Sequence, residues 1–124
     1  MNLIDHILAL TIFTLVDYIY LSSVSGFFNK LVKNVQGTPI KLRYEGAIMC
    51  YILLYFGLYH FVLRNPKKKL KDRLIDAFVL GLVIYGVYET TNYAILKNWD
   101  INAVIIDTFW GGCLYAITTY IVTN

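Results

Sequence analysis

The stretch LIDAFVLGLVIYGVYETTNYAIL, residues 74–96, decides the fold. It is apolar and aromatic over a length that meets the requirement of about 20 such residues for a helix crossing a bilayer. Yet it carries Glu89 and Asn92 inside the run. Three other segments satisfy the same length rule, from about Leu3 to Val24, from Tyr44 to Leu63 and from Ile101 to Val122. Their flanks agree. Gly37, Thr38 and Pro39 break the chain before the second segment, RNPKKKLKDR (64–73) follows it, and KNWD (97–100) separates the third from the fourth.

Composition points the same way: 58% of the residues are hydrophobic and 15% charged, where soluble domains carry about 25% charged residues, so a water-soluble globule is excluded. The expected fold is all-α, a four-helix transmembrane bundle forming a single integral membrane domain over residues 1–124. The net charge of +3 does not mark a nucleic-acid face, because nearly all basic residues fall between the apolar segments. Between the first two spans, Phe27, Phe28, Leu31, Val32 and Val35 recur at helical spacing opposite Asn29, Lys30, Lys33 and Asn34. That pattern predicts a short interfacial helix. Ser23, Val24 and Ser25 imitate a signal-peptidase site, but the start of the chain carries Asp5 and no Lys or Arg, so the first span is expected to stay. Arg64, Lys67, Lys68, Lys69, Lys71 and Arg73 lie on one side of the membrane, with both termini. Lys30, Lys33, Lys41, Arg43 and Lys97 lie on the other. The positive-inside rule therefore favours cytoplasmic termini.

Depth brings the acids together. Asp17 lies about seven residues before the end of the first span and Glu89 the same distance before the end of the third, while Asp107 lies about seven residues after the start of the fourth. At 1.5 Å per residue all three fall roughly 10 Å below one membrane surface. A charge at depth costs at least about 2.5 to 3.5 kcal/mol on insertion scales, so such residues face the bundle interior. Gly81, Tyr85, Glu89 and Asn92 follow one face of the third span; Asp107, Trp110, Gly111 and Leu114 follow one face of the fourth. Tyr51, first of the series Tyr51, Tyr55, Tyr59 on the second span, enters at the same depth and can donate to a carboxylate. Three like charges that close cannot all stay ionised in a low-dielectric site, so protons are shared or a cation sits there. The expected proton or cation site is Asp17, Tyr51, Tyr85, Glu89, Asn92, Asp107 and Trp110.

Asp17 with Tyr20 and Leu21, the string Tyr88-Glu89-Thr90-Thr91-Asn92, the link Leu96-Lys97-Asn98-Trp99, and Asp107 with Trp110 and Gly111 give the chain a family resemblance. It resembles domain-of-unknown-function family 2177, predicted four-helix membrane proteins of bacteria and some large DNA viruses. The resemblance covers essentially the whole chain. It departs from the family pattern at Glu89, where Asp is usual, and at Tyr20, where Trp is usual. It implies a membrane protein without an assigned activity.

Other chemistries find little footing. No Gly-x-Gly-Asp string accompanies the acids, as an intramembrane aspartyl protease requires, and no nucleophile and base pair is apparent, so no catalytic residue is named. Cys50 and Cys113 lie at different depths, without zinc spacing, and read as buried small side chains; no metal site or cofactor is expected. His6 and His60 read as interfacial, and Tyr44, Trp99 and Tyr120 as interface anchors. Gly81 and Gly86, with Gly111 and Gly112, mark close packing of the third and fourth spans. Two functional classes follow. One is a proton- or cation-linked transport or sensing component; the other is a structural or partner-binding component of a cell envelope or virion membrane, its acids acting as interhelical contacts. The expected partners are the lipid bilayer and either further copies of the chain or another membrane protein, with no nucleic acid.

Overall fold

Asn2 and Asp5 start the first helix through a capping box: Asp5 N–H donates to Asn2 Oδ1 at 2.9 Å and Asn2 N–H to Asp5 Oδ2 at 3.1 Å. The computed structural model describes residues 1–123, and its helices are α1 (Leu3–Gln36), α2 (Tyr44–Leu58), α3 (Leu70–Ile95) and α4 (Ile101–Thr123). A π-helical turn, Tyr59–Leu63, continues α2 and closes with Arg64 N–H on Tyr59 C=O at 3.0 Å. No strand occurs among the described residues. With the π turn joined to α2, the four segments Leu3–Gln36, Tyr44–Leu63, Leu70–Ile95 and Ile101–Thr123 are each long and apolar enough to cross a membrane.

The predicted separate interfacial helix is corrected. Residues 25–36 are helical, but they continue α1 without a break up to Gly37, whose φ of 87° and N–H bonded to Lys33 C=O end the helix. The reason is tertiary. Leu31 is buried against Trp99, Ala103 and Val104, with Phe28, Val32, Val35 and Leu96 around them. The apolar face assigned to the lipid surface thus docks on the α3–α4 connection. At 1.5 Å per residue α1 is about 51 Å long, some 20 Å more than a hydrocarbon core of about 30 Å.

The distribution of side chains is inverted relative to a soluble protein. Asp17, Glu89, Asp107, Thr118 and Thr119 are buried, while Ile19, Leu53, Val87, Ile105 and Phe109 point outward. Lipid tails are as apolar as those exposed side chains, so burial alone does not hold the helices together and packing must. The tightest contact is α3 on α4. A Cβ on Gly81 would lie 2.0 Å from the Gly111 carbonyl oxygen, and one on Gly112 would lie 2.8 Å from Phe78 Cε2. The glycine pairs therefore do what the sequence predicts. A second cluster, including Phe13, Leu58, Val62, Ala77, Leu114 and Tyr115, fills the half of the bundle that holds the termini.

Gly81→Ala is expected to destabilise the protein by about 1–3 kcal/mol, the range for overpacking a close contact. Gly26, in α1 with open space around it, is the control: Gly26→Ala is expected to be neutral or stabilising by up to about 1 kcal/mol. Thermal unfolding in detergent checks both, and equal effects at the two positions would contradict backbone contact as the basis of the α3–α4 packing.

Candidate functional site

All four helices contribute to one polar layer. Asp17 is buried in α1 and accepts two hydrogen bonds, one from the Tyr51 hydroxyl of α2 and one from Trp110 Nε1 of α4 at 2.9 Å. Asp107 of α4 accepts from the Tyr20 hydroxyl of α1 at 3.1 Å. The rings of Tyr20 and Trp110 stack between these bonds, centroids 4.6 Å apart and planes 5° from parallel. α1 and α4 thus each present an acid followed three residues later by an aromatic donor, and the donors cross. In two helices running in opposite directions this i, i+3 pattern is self-complementary, because i and i+3 share a face.

Glu89 lies deeper in the same layer. It is 0% exposed. Its Oε1 accepts from Trp99 Nε1 at 3.0 Å, and its carboxyl group lies beside that of Asp107. Oε2 is buried without a hydrogen-bond partner. As ionised groups neither neighbour can donate to the other; a proton on either supplies the missing bond. Every donor named here is neutral.

Of the expected site residues, Asp17, Tyr51, Glu89, Asp107 and Trp110 therefore meet in one layer. Tyr85 and Asn92 share the helix face of Glu89 but are not joined to it by side-chain hydrogen bonds among the described residues. Tyr85 packs its ring on Gly111, where a Cβ would fall 2.4 Å from Tyr85 Cγ. Asn92 contributes its carbonyl, which accepts Leu96 N–H at 2.8 Å and ends α3. Among the described residues no three of the acids, histidines and cysteines are grouped to hold a metal ion.

Two participants were not placed in the layer by the sequence. Trp99, expected as an interface anchor, is instead buried with its indole on Glu89. The turn that aims it inward has Asn98 at φ 69° and Asp100 Oδ1 accepting Asn102 N–H at 2.8 Å at the head of α4. The usable signal was the polar tip of a Trp ten residues from an intramembrane acid, since a buried indole N–H needs an acceptor. Tyr20 was visible only as a mark of the family resemblance, although it stands three residues from Asp17 on the same face. The expectation for Cys50 is also corrected: it faces outward on α2, while Cys113 is half-buried, and both are free thiols.

His6 stands apart from this layer. Its Nδ1 is 2.9 Å from the Tyr55 hydroxyl and its ring meets Tyr59 edge-on at 4.7 Å. His60 sits between the rings of Phe56 and Phe61.

Apolar helices facing outward around an enclosed acidic layer define a polytopic membrane protein. The chain matches the family model described as "Predicted membrane protein (DUF2177)" across residues 2–123, and it belongs to that family. No curated protein and no solved structure matches it.

The crossed pair makes a specific prediction. Trp110→Phe keeps most of the ring stack and deprives Asp17 of one donor, with an expected loss of about 1–2 kcal/mol, the range of strong interhelical hydrogen bonds in membranes. Tyr20→Phe should act similarly on Asp107. Because the two rings touch, the double variant is expected to deviate from additivity by at least about 0.5 kcal/mol in an unfolding cycle; strict additivity would contradict the crossed arrangement.

Proposed function

We propose that the protein is a proton-linked transport or sensing component in which Glu89 and Asp107 share one exchangeable proton. The observation that carries this reading is the buried, unpartnered Oε2 of Glu89 beside the Asp107 carboxyl. A buried polar atom without a partner is costly, and a shared proton removes that cost while leaving net negative charge on the pair. Asp17 has a different part, because both its oxygens already accept from Tyr51 and Trp110. It holds the aromatic stack in place beside the exchanging pair. Intramembrane carboxyls set among neutral donors are the general chemistry of proton relays. A bound cation is less well supported, since it needs several converging oxygens.

The occupied oxygens of Asp17 favour a second reading, a structural or partner-binding membrane component in which the acids tie helices together. Glu89→Gln separates the two. The amide oxygen still accepts from Trp99 and the amide nitrogen donates toward Asp107, so the bundle is expected to fold normally. Infrared difference spectra across pH are expected to show a titrating protonated carboxyl in the parent protein, absent from the variant, with pH-driven proton flux in liposomes lost in parallel. Silence in both measurements for both proteins, at equal thermal stability, would leave the structural reading.

We also propose that both termini and the basic connection face the cytoplasm or its topological equivalent. What supports this is the set Arg64, Lys67, Lys68, Lys69, Lys71 and Arg73 at the same end as the chain termini. A cysteine introduced at Lys67 in a variant without Cys50 and Cys113 is expected to react with an impermeant thiol reagent only after cells are opened. Labelling of intact cells would reverse the orientation.

A further inference from the structure

We propose that a cavity at the termini end of the bundle binds the phosphate headgroup of an anionic lipid, with Arg73 as the anion-binding side chain. This stands apart from the acidic layer and does not rest on the reading given to it. The cavity has a volume of about 390 Å³, and Arg73, Asp5, Leu8, Ile12, Leu63 and Ile121 are among its walls. Arg73 is 9% exposed, close to fully buried. One of its donors, Nη2, caps the π-helical turn by bonding Leu63 C=O at 2.9 Å. Its Nε is buried with no partner.

No carboxylate neutralises this guanidinium among the described residues, where the ion pair found joins Lys68 of the connection to Asp76 in the first turns of α3. Asp5, which shares the cavity, is turned to the capping box at the head of α1. A buried guanidinium without an ion-pair partner among the described residues is unfavourable, and an anion in the cavity that Arg73 lines supplies the counter-charge. Guanidinium matches phosphate oxygens in a two-pronged fashion, which suits a phosphate headgroup.

The remaining walls select the source of that phosphate. Leu8 and Ile12 follow Asp5 along α1 into the first span, and Leu63 and Ile121 add apolar wall, so an acyl chain has a surface to follow while its headgroup meets Arg73. Lys67 and Lys69 on the neighbouring connection and Lys71 at the head of α3 raise the local concentration of anionic lipid. A free phosphate ion would leave the apolar walls unused.

The test uses the full chain purified in neutral detergent, with lipid binding read by native mass spectrometry and melting temperature. Phosphatidylglycerol is expected to bind about five-fold more tightly than phosphatidylcholine, roughly the preference that one basic side chain gives. Arg73→Gln, which keeps amide donors for Leu63 C=O, is expected to lose that preference. Ile12→Trp, which fills the cavity and leaves Arg73 in place, is expected to lose it as well, and decides the matter if Arg73→Gln does not fold. Equal binding of the two lipids, or a preference unchanged in both variants, would overturn the proposal. Protection by inorganic phosphate equal to that by phosphatidylglycerol would overturn the lipid as the occupant and assign the cavity to a small anion.

Discussion

The crossed pair of hydrogen bonds between α1 and α4, Trp110 to Asp17 and Tyr20 to Asp107, is the constraint around which the rest of the bundle is arranged. In lipid there is no hydrophobic force to bring two apolar helices together, so specificity has to come from close packing and polar contacts. Here two carboxyls and two aromatic donors fix both the register and the rotation of one helix against the other. A shift by a single residue would turn each donor about 100° away from its acceptor and leave four polar groups in hydrocarbon. Stacking of Tyr20 on Trp110 adds a direct contact between the two donors, so neither ring can rotate independently of the other.

The other helices are attached to this pair by different means. α3 reaches α4 through glycine, and its backbone approaches closely enough at Gly81 and Gly111 to bring the Glu89 carboxyl beside Asp107. α2 is attached more by tyrosine than by backbone proximity. Tyr51 donates to Asp17, Tyr55 meets His6, and Tyr115 of α4 donates to Leu54 C=O at 2.7 Å. A phenol is well suited to such a helix, because its ring bridges the gap while its hydroxyl finds the acceptor. α1, finally, is extended well beyond the membrane thickness and its far end is anchored by Leu31 on the α3–α4 connection. Glu89 is thereby enclosed from the side by helices and from above by Trp99, whose own burial depends on that anchor.

The fold was legible because bilayer thickness acts on composition alone: four apolar runs with breaks between them leave few alternatives. The level of the three acids was legible too, since helix direction and rise convert sequence number into depth. The rotational partners were not. Asp17 and Trp110 belong to segments far apart in sequence, and nothing in either segment states that their faces meet. The aromatic residues at Tyr20 and Trp99 carry the same composition signal as interface anchors, and only tertiary structure separates a ring at the membrane surface from one folded over an acid. The break placed between the first span and the following amphipathic stretch failed for a related reason. An apolar helical face is the same pattern for a lipid surface and for a neighbouring helix. Arg73 carried no signal at all within a run of basic residues.

Neutral donors around acids have a chemical consequence that cations would not. A Lys or Arg in the layer would pair with the carboxylates, hold them ionised and fix the charge state of the site. Tyrosine and tryptophan instead supply hydrogen bonds to each acid while leaving the number of protons among them free to change. Asp17 has both oxygens engaged, one by Tyr51 and one by Trp110. The Glu89 and Asp107 carboxyls lie beside each other, and Glu89 Oε2 is buried without a hydrogen-bond partner. The same neutral donors tie α1, α2 and α4 together, so the layer is also a mechanical joint. The Glu89 side chain spans from its helix position to two neighbours, the Trp99 indole and the Asp107 carboxyl.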